Sequence, residues 1–106
     1  MDKKARNFKD VIINYITFET GDNEALIDCK IEENKKARDS KLIISMSDLN
    51  KLIFALKRVL TAELSIECHT IDKQSSFYQI DLTKSGIQKL DLSSFFKSNS
   101  IRQIIA

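Results

Sequence analysis

The chain carries one histidine, His69, and two cysteines, Cys29 and Cys68, the first side chains to weigh for nucleophilic or metal chemistry. His69 follows Cys68 directly. Neighbouring residues of a strand point to opposite faces, so the adjacency separates thiol from imidazole, whereas a thiolate nucleophile needs its base within hydrogen-bond reach. A zinc site needs closely spaced ligand pairs, and no second histidine or nearby cysteine completes one. Both cysteines read as free thiols packed at apolar strand positions. Among the carboxylates, Glu63, Glu67, Asp81 and Asp91 fall on outward strand positions, where solvated acids are expected and none stands out as a general acid. Gly21 and Gly86 are the only glycines, so neither a dinucleotide-binding loop nor a P-loop can be written. No catalytic residue, cofactor site or metal ligand is assigned, and the expected protein is not an enzyme.

Binding chemistry has more to work with. Lys35, Lys36, Arg38 and Lys41 cluster in one polar stretch, and with Phe77 and Tyr15 as stacking groups they define a sheet-based nucleic-acid reading. Glu24, Asp28, Glu32, Glu63 and Glu67 would set negative charge on the same sheet, which weakens it. The favoured reading is a protein interaction module, with a protein partner and a homodimer as a candidate assembly. It rests on apolar groups that fall outside the expected core: Phe54 lies off the main helical stripe, Leu26 and Ile71 lie off the inward faces of their strands, and Ile104 and Ile105 close the chain. Phe54, Ile71, Ile104 and Ile105 are therefore the candidate interaction surface.

The element that must organise these residues is a helix over 47–60. Leu49, Leu52, Ile53, Leu56, Val59 and Leu60 repeat with a 3.6-residue period, which gathers them on one stripe. Burying six such side chains at roughly 1.5–3 kcal/mol each makes this helix the main anchor of the core before entropy is subtracted. Ser47 is the expected N-cap, Asp48 suits the positive end of the helix dipole, and Lys57 and Arg58 suit the negative end. Strand patterns surround it. Residues 8–20 are apolar on both faces and predict a central strand, with Val11, Ile13 and Tyr15 on one side and Ile12, Ile16 and Phe18 on the other. Gly21-Asp22-Asn23 supplies a tight turn.

Residues 24–32 alternate with Ala25, Ile27, Cys29 and Ile31 inward, residues 33–40 read as a solvated polar loop or the mobile tip of a long hairpin, and 41–46 as a third strand. After the helix the grammar restarts: 63–72 and 77–83 alternate, with Tyr78, Ile80 and Leu82 on one face, and 87–92 reads as a sixth strand. Ser93 and Ser94 then offer a cap to a shorter C-terminal helix, which the poor helix formers Ser98-Asn99-Ser100 could split into a turn and a final segment. The junction at Ile44 to Leu49 resembles that at Leu90 to Phe95, as two uses of the same strand-to-helix grammar or an old duplication would produce. The expected fold is α+β in the order βββαβββα: a mainly antiparallel sheet of about six strands, one central amphipathic helix and a shorter second one.

At 106 residues the chain fits a single domain, 1–106, with 1–7 as a flexible basic lead-in. Seventeen basic against fifteen acidic residues leave a net charge of +2, too balanced to single out nucleic acid. Two cysteines make no disulfide framework, the charged first ten residues lead into no signal-type apolar run, and no stretch approaches a membrane span, so the expected location is cytoplasmic, without membrane contact. Abundant isoleucine and lysine beside scarce arginine suit an AT-rich bacterial genome.

Overall fold

The computed structural model describes residues 8–59, 66–70, 76–84, 89–95 and 100–104. Helix α1, Met46–Val59, lies on one face of an antiparallel sheet formed by β1 (Val11–Glu19), β2 (Glu24–Glu33), β3 (Lys36–Ser45), β4 (Ile66–Thr70), β5 (Ser76–Asp81) and β6 (Arg102–Ile104). The spatial order is β4-β5-β1-β2-β3-β6, so β1 is central, as its two apolar faces require. The architecture is α+β, with one sheet face covered and the other open among the described residues.

Leu49, Leu52 and Leu56 are fully enclosed, and Ile53 packs beside them, so the four members of the predicted stripe whose side chains are described form the core face of α1. The cap differs from expectation. Helical residues begin at Met46, and the Asp48 N–H donates to Ser45 Oγ at 3.1 Å, which makes Ser45 the capping residue in place of Ser47. Asp48 stays at the positive end of the dipole, with a carboxylate oxygen 3.8 Å from Lys51 Nζ. Leu60 and the lead-in 1–7 lie outside the described residues.

β2 alternates as read, burying Ala25, Ile27, Cys29 and Ile31 under the helix. β1 does not alternate throughout. Ile13 pairs with Cys29 while Tyr15 pairs with Asp28, its neighbour, so Asn14 is an extra residue, a β-bulge. The bulge resets the phase: Val11, Ile13 and Ile16 are all buried, Phe18 packs against the same core, and Ile12, Tyr15 and Thr17 face the other way. The expected grouping of Tyr15 with Val11 and Ile13, and of Ile12 with Ile16 and Phe18, is therefore corrected. Asn14 also marks a change of partner along one edge of β1. Residues 15–19 pair with β5, whereas Val11 exchanges hydrogen bonds of 3.0 and 2.8 Å with Leu90, and the Asn14 carbonyl between them accepts the Leu82 N–H at 2.8 Å.

Of the two readings of the polar stretch 33–40, the structure shows the tip of a long hairpin and not a loop. β2 and β3 pair from Glu24↔Ser45 to Glu33↔Lys36, joined by a two-residue turn at Asn34 and Lys35 with φ of 52° and 66°. Both central residues in the left-handed region make the turn of the primed type that matches strand twist. Asn34 tolerates this region; Lys35 pays a steric cost there. Lys35→Gly is expected to raise stability by about 0.5–1 kcal/mol, read as a higher urea midpoint at unchanged slope. A lower midpoint would show that the turn conformation is misassigned.

The second half departs most from the expected order. Five expected strands are present, but residues 89–92 contribute only the isolated bridge at Leu90, and the strand after it is Arg102–Ile104, paired to Lys41–Ile43 of β3. Where a C-terminal helix was expected, Leu92–Ser94 form a 3-10 turn, capped by Asp91 and not by Ser93 or Ser94, and residues 96–99 lie outside the described residues. The two junctions thus share a grammar and diverge in structure, and among the described residues the strand-strand-strand-helix order is not repeated.

Candidate docking groove

Register divides the expected nucleic-acid residues. Lys36 and Arg38 share the parity of Leu42 and Ile44 on the helix-facing side, Lys41 lies on the open side, and Lys35 sits in the turn. Carboxylates intervene: Lys36 pairs with Glu33 in register, Asp39 separates Arg38 from Ser40, and Lys41 Nζ is 4.0 Å from Asp28. The four cations therefore do not form one basic face.

The candidate interaction residues are divided as well. Phe54 is 65% exposed on the solvent side of α1, whereas Ile104, 44% exposed, pairs with Lys41 and so belongs to the open sheet face. Ile71 and Ile105 lie outside the described residues. Cys68 and His69 are on the edge strand β4 opposite Tyr78 and Phe77; Cys68 is exposed there and not packed as its apolar position predicts, whereas Cys29 is buried. Glu63 is outside the described residues. Asp81 accepts from the Thr83 N–H and hydroxyl at 2.8 and 2.5 Å, and these bonds hold its carboxyl below the usual range. Asp91 likewise accepts from the Ser93 N–H at 3.0 Å and from its hydroxyl. Both acids serve local turns. Among the described residues no group of three or more His, Cys, Asp or Glu could hold a metal ion.

What the open face does gather is an apolar floor with an acidic rim. Thr17 on β1, Leu26 on β2 and Ile43 on β3 are successive cross-strand neighbours, and Phe77 on β5 lies alongside opposite Glu19. All four are half-buried although no layer covers this face in the described structure. Together they line a shallow groove of about 370 Å³, whose remaining charged residues are Glu19, Asp22 and Glu24. Arg102, opposite Ile43 on β6, forms an ion pair with Glu24. Three carboxylates against one guanidinium leave the rim negative, beside a floor that gains from apolar cover.

Leu26 and Phe77 were separately visible in the sequence, one as an apolar residue off its inward face and the other as an aromatic. Ile43 was not singled out, because a run of three apolar residues in 41–46 conceals which one faces outward. Nothing in the sequence could unite them, since the groove takes its floor from four strands whose spatial order is set by the pairing. Among the described residues no helix is long and apolar enough to cross a membrane. Compared with protein-family models, curated proteins and solved structures, the chain shows no match.

Proposed function

We propose that the chain is a non-enzymatic, cytoplasmic protein-binding module whose docking surface is the groove at Thr17, Leu26, Ile43 and Phe77. The observation that carries this reading is the conjunction, on one open sheet face, of an apolar floor with Glu19 and Asp22, neither of which pairs with a cation among the described residues. Such a surface fits a partner segment that presents an apolar side chain flanked by lysine or arginine. Two thiols without a disulfide suit a reducing compartment. The alternative, nucleic-acid binding at the Lys35–Lys41 tip, has weaker support because carboxylates are interleaved with its cations and register spreads those cations over two faces.

A peptide with one phenylalanine between lysines, titrated into isotopically labelled protein, should shift the amide signals of Thr17, Leu26, Ile43 and Phe77, and less so at high salt. A matched peptide with glutamates in place of the lysines should leave them in place. Shifts confined to residues 35–41, or no shifts at all, would refute the groove. Oligonucleotide binding that falls steeply with salt and is lost on neutralising Lys35, Lys36, Arg38 and Lys41 would establish the alternative.

A further inference from the structure

Helix α1 presents on its solvent side the chemistry that the groove lacks. Phe54 is the more exposed of the two large apolar side chains that stand out on the described surface, and Lys51, Lys57 and Arg58 flank it at i−3, i+3 and i+4, all exposed. An aromatic ring ringed by cations is therefore held on a rigid helix. The groove, an apolar floor with Glu19 and Asp22 on its rim, is its counterpart in both polarity and charge. The helix covers one face of the sheet and the groove opens on the other, so the two surfaces of one molecule cannot meet. We infer that the groove of one copy receives Phe54 of a second copy, with Lys51, Lys57 and Arg58 of the helix facing Glu19 and Asp22 of the groove. The inference rests on the groove reading above and names its occupant.

Because the contact joins two different surfaces, it is heterologous and does not close on itself in a dimer. Each added copy leaves one free helix face and one free groove. The contact is small, one aromatic anchor with a charged surround, and belongs with weak, reversible interfaces. The association should therefore be concentration-dependent, open-ended and weakened by salt.

Sedimentation equilibrium up to about 1 mM protein tests this at a concentration where millimolar-range contacts populate. The weight-average mass of the wild type should climb from the monomer value of 12.2 kDa past that of two copies without levelling there. Phe54→Ser and the double variant Glu19→Lys/Asp22→Lys alter exposed positions, so both should melt like wild type, and each alone should stay monomeric. Mixed in equal amounts they should level off at two copies, since the first keeps an intact groove and the second an intact helix face. A wild type that stays monomeric, or an association that Phe54→Ser leaves unchanged, overturns the self-association. If the lysine-flanked phenylalanine peptide still binds the groove in either case, the groove reading stands and only its occupant was wrong; if it does not, both fall.

Discussion

Leu52→Asp or Leu56→Asp is expected to leave the protein unfolded at 25 °C. Leu52 is fully enclosed and Leu56 only 1% exposed, both under a sheet whose facing residues, Ile16, Ile27, Leu42, Ile44 and Ile80, are themselves fully enclosed. Removing either leucine costs the transfer free energy of its side chain and leaves a cavity, together about 2–5 kcal/mol. The aspartate adds more, because a carboxylate in that layer must either stay charged without a partner or take up a proton. A domain of this size has a total stability of about 5–15 kcal/mol, so one such change consumes most or all of it. Circular dichroism should show lost helix signal and no cooperative melt. Phe54→Asp places the same charge on the solvent side of the same helix, and it should melt within about 0.5 kcal/mol of wild type. Wild-type melting of Leu52→Asp would show that the helix packs by another face.

The two thiols should differ sharply in reactivity, with Cys29 much the slower. Cys29 is 2% exposed, and its Sγ lies 3.6 Å from the Ser40 carbonyl oxygen that accepts from it. Burial, with the Asp28 and Asp39 carboxylates nearby, pushes its thiol up to about 12. At pH 8 a thiol at about 12 is ionised in roughly one molecule in ten thousand, so Cys29 offers almost no thiolate. Cys68 is exposed on β4. Native-state alkylation followed by peptide mapping should therefore modify Cys68 alone until the protein opens, and equal labelling of both would contradict the packing of β2 against β3.

The same burial makes stability depend on pH in the alkaline range. The fold favours protonated Cys29, so this contribution is complete below the unfolded thiol value of about 8.5 and is lost as pH rises toward about 12, at no more than about 1.4 kcal/mol per pH unit. Cys29→Ala should remove that share of the decline, while lysine and tyrosine titrations remain common to both proteins. An equally steep decline in the variant would sink the attribution.

The parts of this fold that were legible in the sequence are those where one face is apolar and the other is not. The stripe of α1 and the alternation of β2 meet that condition, and their described inward residues lie where the pattern places them. β1 fails it, because apolar residues on both sides of Asn14 leave the period silent about a bulge; Tyr15 and Ile16 change sides without any change in hydrophobicity. Residues 36–40 fail it in the opposite sense, since the hairpin extends past the core and carries polar groups on both faces, so a paired strand looks like a loop. Ser45 and Ser47 are equally good caps by composition, and only the start of the helical backbone chooses between them. At the C-terminal end, Arg102–Ile104 is too short a strand to announce itself by periodicity. The groove was legible only residue by residue, because its unity comes from the cross-strand row Thr17, Leu26 and Ile43 and not from any spacing along the chain.

The sheet order also sets a sequence of events in time. The turns joining β1 to β2 and β2 to β3 are only a few residues long, so this meander and the adjoining α1 can assemble at small loop-closure cost. The flanks cannot. Thr17 must find Gln79, and Leu42 must find Gln103, across separations of about sixty residues each. Substitutions at the Asn34-Lys35 turn should consequently change how fast the protein folds, while those in β6 should change mainly how fast it unfolds. The edges that complete the sheet are the last to zip and the first to open.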